Sequence, residues 1–244
     1  MSELVVKQVT KSFANKKVLD DVSFTIKEGE FVSLLGPSGS GKSTLFHLIG
    51  GLYRPDTGTF YLDGERINGK RGAISYTPQS PSLFPWRTII DNVVLGAEIF
   101  AKPDVDQARA MLKKAGLADY EDAYPHHLSG GMRQRVAFVR SLLSPQSFIC
   151  LDEPFSALDE FTRLEMQKWL LSIWEENRKS VLFVTHNIEE AIYLSDRIII
   201  LSNNPATVKR EIQVPFERPR QEALLLTDEF LQWKRDIYQE LRVF

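Results

Sequence analysis

The chain has a single cysteine, Cys150, and it falls inside an apolar run, so neither a disulfide framework nor a thiolate metal centre can be assembled within one copy. A reducing cytosol suits such a chain. It also lacks any stretch approaching the roughly 18 to 20 consecutive apolar residues that cross a bilayer. The best runs, Phe31–Leu35 and Ile198–Leu201, are far shorter, so a membrane role has to come through a partner. The opening segment Met1–Phe13 mixes Glu3, Lys7 and Lys11 with apolar residues and has no continuous hydrophobic stretch of the secretory type, so export is not expected. Charge of one sign is missing too. The 30 Lys and Arg interleave with 32 Asp and Glu, giving a formal net charge of -2 and no electrostatic footprint for nucleic acid. There is no low-complexity segment and no repeat of fixed period. What is left, 43% hydrophobic and 25% charged over 244 residues, is the make-up of a globular protein with a sizeable core, read as one large domain with an inserted part.

Leu4–Thr10, Val18–Lys27 and Glu30–Leu35 carry β-branched and aromatic residues between turn signals such as Glu28-Gly29, and are predicted as strands. From Thr88 to about Ser144 the pattern is helical, with Ala108, Met111, Leu112 and Ala115 three and four apart and Gly116 placed to end that stretch. The apolar strands Phe148–Leu151, Val181–Thr185 and Arg197–Leu201 then alternate with helical stretches at Glu160–Asn177 and Ile188–Leu194, which predicts a mainly parallel sheet with crossover helices. The tail from Asn203 is punctuated by Pro205, Pro215 and Pro219 and ends in a helix-like stretch, Glu229–Leu241, whose Phe230, Ile237 and Leu241 suggest packing rather than chemistry.

Gly36-Pro37-Ser38-Gly39-Ser40-Gly41-Lys42-Ser43-Thr44 meets the phosphate-loop pattern at every required position, after a strand and before a helix beginning near Lys42. Glycines there let successive N–H groups curl inward onto phosphate oxygens, and the helix N-terminus adds partial positive charge. Lys42 would neutralise the β- and γ-phosphates, and Ser43 would offer its hydroxyl to Mg²⁺, which takes oxygen ligands. Ser147–Glu153 reads as a short apolar strand ending in two carboxylates, expected to point to opposite sides of an extended chain. Asp152 would serve the Mg²⁺ shell, and Glu153 would polarise the attacking water.

Leu128-Ser129-Gly130-Gly131-Met132 has the form of a helix start, with Ser129 as cap and both glycines expected to leave backbone N–H groups unobstructed for a second anion contact. Taken with the phosphate loop and the Asp152-Glu153 strand end, this chain resembles the nucleotide-binding domain of ABC transporters, with Met132 in place of the Gln of the LSGGQ signature. The resemblance implies an α/β P-loop NTPase with a RecA-like core, an antiparallel β subdomain and an inserted α-helical subdomain. The expected division is 1–87 plus 146–244 for the core with its β subdomain, and 88–145 for the helical part.

It further implies that Phe13 stacks on adenine, that Gln79 reaches Mg²⁺ or the lytic water, and that His186 contacts the γ-phosphate. Asn187 stands where the family generally has Asp, and Ser156–Asp159 matches the loop that crosses to the other subunit. ATP would be sandwiched between the phosphate loop of one copy and Ser129, Gly130 and Gly131 of another, in a two-fold homodimer. The implied partners are transmembrane permease subunits at the cytoplasmic face of the cell membrane and, indirectly, a substrate-binding protein; nucleic acid is not among them. Leu83, Phe84 and Trp86, in a Pro-bounded loop, are expected to be exposed for permease docking. Pro85-Trp86-Arg87-Thr88, Asp152–Asp159 and Thr162-Arg163 are similar to the nitrate, sulfonate, taurine and pyrimidine-precursor import branch. Against it stand an ABC-type ATPase of DNA repair or translation, whose coiled-coil insertion or second cassette is missing here, and an efflux system. His47, His126 and His127 are assigned no chemistry.

Overall fold

The computed structural model describes residues 3–242; Met1, Ser2, Val243 and Phe244, the outer limits of the expected division and of the opening segment, lie outside it. Strands β1 (Leu4–Phe13) and β2 (Lys16–Ile26) form a hairpin whose two turn residues, Ala14 and Asn15, have φ of 45° and 65°. That left-handed pair gives the turn a twist that matches the strands. Then come β3 (Phe31–Leu35), α1 (Lys42–Ile49), β4 (Thr57–Leu62), β5 (Glu65–Arg66) and β6 (Ser75–Thr77). Three helices follow: α2 (Ile89–Glu98), α3 (Val105–Lys114) and α4 (Gly130–Leu143). The chain continues through β7 (Phe148–Asp152), α5 (Glu160–Asn177), β8 (Ser180–Val184), α6 (Ile188–Leu194), β9 (Arg197–Leu201), β10 (Val208–Gln213) and α7 (Asp228–Arg242).

These strands make two sheets, a four-stranded antiparallel one in the order β2-β1-β4-β5 and a six-stranded one in the order β10-β9-β3-β8-β7-β6. In the second, β9, β3, β8, β7 and β6 run parallel, and β10 is an antiparallel edge. Every residue of β3, β7 and β8 is buried, as continuous apolar strands of a sheet covered on both faces must be. Alternate residues of one strand serve opposite layers. Val181 and Phe183 of β8, with Ile149 and Leu151 of β7, pack towards the α2–α5 helices. Leu182 and Val184, with Phe148 and Cys150, pack towards α1 and the antiparallel sheet. Cys150 is a core apolar residue, and burial pushes its thiol pKa well up.

Gly116, with φ of 69°, terminates α3 by a left-handed turn in which its N–H donates to Lys113 O at 3.0 Å. The tail packs as expected through Phe230 and Ile237, buried, and Leu241, half-buried. It also contains β10, which the prolines obscured. Among the described residues no helix is long and apolar enough to cross a membrane.

Candidate functional site

Ligands of open α/β sheets bind beyond the carboxyl ends of the strands, where the strand order reverses. Here β3 is flanked by β8 on one side and β9 on the other. The Gly36–Thr44 loop leaves the end of β3, Asp152 closes β7, and His186 follows β8, so three neighbouring strands deliver the predicted groups to one edge.

Gly41, with φ of 84°, is the residue from which α1 starts. A Cβ there would lie 2.9 Å from both Val18 Cγ1 and Leu19 Cδ2, so the loop can hug β2 only with glycine at this point. Gly41→Ala is therefore expected to cost about 1–2 kcal/mol from the left-handed backbone alone. That would appear as a Tm lowered by about 2–8 °C together with weakened nucleotide binding. An unchanged Tm would contradict it.

Helix α1 has no side-chain cap, whereas Thr88, Asp104, Ser129, Asp159 and Asn187 each cap the helix that follows them. The N–H groups of its first turn lack intrahelical acceptors and face the loop, a ready seat for an anion. The Ser40 hydroxyl, fully buried, has no hydrogen-bond partner, a further polar atom of the loop left for a bound oxygen. Lys42 Nζ donates to the carbonyls of Gly36 and Pro37 at 2.8 and 2.9 Å. Burial lowers its pKa, and the Glu153 and Asp152 carboxylates pull it back up.

Asp152 is 8% exposed, and burial raises its pKa against the lowering effect of the Tyr76 hydroxyl, which donates to Oδ2 at 3.3 Å. Ser43, the second residue of α1, sits near enough to this carboxylate to help lower its pKa. A serine hydroxyl meeting a buried carboxylate is an oxygen donor set suited to a hard cation such as Mg²⁺, most of whose other ligands would be phosphate and water. Among the described residues no cluster of three His, Cys, Asp or Glu forms a complete metal site by itself.

Glu153 departs from the expected geometry. It lies just past β7 with φ of 43°, in the left-handed region, while its N–H still donates to Val184 O at 3.0 Å. The two acids are parted by this local turn, not by strand alternation. Glu153 Oε2 is 3.2 Å from His186 Nδ1. Gln79 Nε2 donates to Ser156 Oγ at 3.0 Å, and Ser156 Oγ donates to Glu153 O at 2.8 Å, so Gln79 joins the cluster through a serine. Asn187 caps α6, its Oδ1 accepting from Glu189 N at 2.8 Å and Glu190 N at 3.3 Å. An aspartate would do the same with the same oxygen, so the substitution is neutral for this geometry.

Phe13 ends β1 with its ring 40% exposed and edge-on to Tyr53 at 5.5 Å. Ser129 Oγ accepts from Met132 N at 3.2 Å, and Gly130 is exposed with open space around it. Gly131 is buried, and a Cβ there would stand 3.0 Å from Thr162 Cγ2, a tight contact with the first turn of α5. Among the described residues no hydrogen bond or ion pair joins Ser129, Gly130 or Gly131 to the Gly36–Thr44 loop. Gly130 instead borders a cleft of about 300 Å³ shared with Gln79, Ala157 and Leu158.

The docking loop is also partly corrected. Phe84 and Trp86 stack at 5.1 Å and are 36% and 71% exposed, but Leu83 turns inward against the helical core. Asn92, fully buried, accepts from Phe84 N and donates to the carbonyls of Phe84, Arg87 and Thr88, which holds the loop rigid. Sequence reasoning missed Tyr76 and the bridging role of Ser156; a lone Tyr in a three-residue strand carries no signal.

The family model described as ABC transporter matches residues 19–156. The chain belongs to the ABC transporter family. The ABC relatives include the formylaminopyrimidine import ATP-binding protein ThiZ of Halalkalibacterium halodurans, 40% identical over 98% of this chain and 94% of that protein. The nitrate import ATP-binding protein NrtD of Synechococcus elongatus is 39% identical over 86% of this chain and 79% of its own. Among solved structures, the dimeric post-hydrolysis state of the ATP-binding cassette MJ0796 bound to ADP and Pi superposes with a TM-score of 0.73. It is 32% identical, over 88% of this chain and all of that one. The fold is thus that of an ABC ATPase cassette, with its antiparallel sheet and its helices α2–α4 set between β6 and β7.

Proposed function

We propose that two copies of this chain clasp ATP between them and hydrolyse it to drive uptake of a small organic or oxyanionic nutrient through a separate permease. The observation that carries the reading is the convergence of Lys42, Ser43, Asp152, Glu153 and His186 at the carboxyl ends of three adjacent strands. Phe13 stacks on the adenine. The Gly36–Thr44 backbone and Lys42 seat the phosphates. Ser43, Asp152 and Gln79 would hold Mg²⁺, which would supply neutralising charge to the phosphoryl oxygens. Glu153 accepts the proton of the water that attacks the γ-phosphorus as the bond to the bridging oxygen breaks, yielding ADP and phosphate. His186, oriented by Glu153, hydrogen-bonds the γ-phosphate.

Ser129, Gly130 and Gly131 complete the site of a second copy. The dimeric state of the MJ0796 cassette supports that arrangement. Import rather than export is supported by the names of relatives, which are import ATP-binding proteins for formylaminopyrimidine, aliphatic sulfonates and nitrate. In this reading the subunit works at the cytoplasmic face of the cell membrane, held there by its permease, while a substrate-binding protein delivers the cargo. A net charge of -2 and a helical insertion of short helices weigh against a nucleic-acid machine.

The stacked Phe84–Trp86 pair is the permease contact, because a rigid loop holding two exposed rings loses little entropy on docking. Phe84→Ser with Trp86→Ser should abolish co-purification with a multi-spanning permease from native membranes and leave the basal ATPase rate of the isolated subunit unchanged. Undiminished co-purification would remove the docking role.

A further inference from the structure

Behind the cluster lies a carboxylate that the chemistry above does not use. Glu190, on α6, is 5% exposed. The Thr185 hydroxyl donates to its Oε2 at 2.5 Å, and the same hydroxyl accepts from Asn187 N at 3.0 Å. Thr185 and Asn187 flank His186, so this hydroxyl fixes the backbone on both sides of the histidine. The other oxygen of Glu190, Oε1, lies 3.7 Å from Nε of Arg163 on α5.

Arg163 reaches the opposite way as well. Its Nη2 donates to Leu158 O at 2.6 Å and its Nε to Phe155 O at 3.4 Å. Those carbonyls belong to the turn between β7 and α5, which starts at Glu153 and contains Ser156, the link to Gln79. Burying a carboxylate is unfavourable unless it is paired, and a well-packed apolar residue commonly serves stability as well or better. What Glu190 offers beyond stability is direction: it ties two loops to each other through bonds of fixed geometry.

We propose that Glu190 is a positioning residue of the ATPase site. Through Arg163 it locks Thr185, and so His186, to the Phe155–Leu158 turn, which keeps His186 and Ser156 in one arrangement about Glu153. The inference rests on the ATPase reading above.

The test measures kcat for ATP, nucleotide Kd and Tm separately for Glu190→Gln, Arg163→Met and the double variant. Each single change should lower kcat by about tenfold or more, as expected when reacting groups shift by a fraction of an ångström. Nucleotide Kd should stay within about twofold. The double variant should fall no further than the weaker single one, because both break one linkage. Thr185→Val should reproduce the kcat loss and Thr185→Ser should keep the wild-type value, which decides the matter even if Glu190→Gln does not fold. An unchanged kcat in Glu190→Gln, multiplicative losses, or a joint fall of kcat, affinity and Tm would overturn the positioning role alone. Absence of ATP turnover in the unaltered chain would overturn the ATPase reading and this inference with it.

Discussion

Glu153→Gln should abolish ATP turnover while leaving nucleotide binding intact, with kcat lowered by about 10²–10⁴-fold, the usual contribution of a positioned general base. The amide has the shape of the carboxylate and keeps an oxygen for His186 Nδ1, now 3.2 Å from Oε2, so the local geometry survives. It cannot take the proton of the attacking water. The left-handed backbone at residue 153, φ of 43°, bears on Gln as on Glu, and no new strain is added. Removing one of the two carboxylates beside Lys42 also removes a negative charge that would face the γ-phosphate, so ATP should bind at least as tightly as in the unaltered chain. Phosphate release at saturating ATP, with Kd measured independently, checks both halves. A variant that hydrolyses at the original rate would leave Glu153 without its role.

Lys42→Ala should act on binding. The ammonium is 6% exposed and aimed along the loop by its bonds to Gly36 O and Pro37 O, so it already stands where phosphate oxygens would compete for its protons. A hydrogen bond to a charged group contributes about 1.5–3 kcal/mol, which corresponds to a Kd weakened roughly ten- to a hundredfold. The fold should tolerate the change. Burial already disfavours the charged form of Lys42, so its loss relieves that penalty as it strips two carbonyls of a donor. Calorimetric titration with ATP should therefore show a weakened affinity at a nearly unchanged Tm. Unaltered affinity would mean that the loop does not hold the phosphates.

The legible parts of this protein are those where one local rule suffices. The continuous apolar runs of β3, β7 and β8 are visible because strands buried on both faces have no polar alternation to blur them. The phosphate loop is visible because Gly41 and Lys42 are each demanded by backbone or charge at a fixed spacing. What escaped depends on neighbours distant in sequence. Glu65–Arg66 forms a strand only because Leu62 and Tyr61 are there to pair with it, and Val208–Gln213 only because β9 offers an edge. Leu83 was expected to face solvent beside Phe84, yet the helical core takes it in. Gly131 packs beside Thr162, thirty-one residues on, and the Tyr76 hydroxyl found Asp152 through the pairing of β6 with β7. No single stretch of sequence holds such information.

The decisive measurement is the structure of the Glu153→Gln chain with ATP and Mg²⁺ at saturation. A shared site predicts two copies related by a two-fold axis, with Ser129 Oγ of each within hydrogen-bond distance of the γ-phosphate seated on Lys42 of the other. Nucleotide-filled copies in which Ser129 stays far from every γ-phosphate would contradict it.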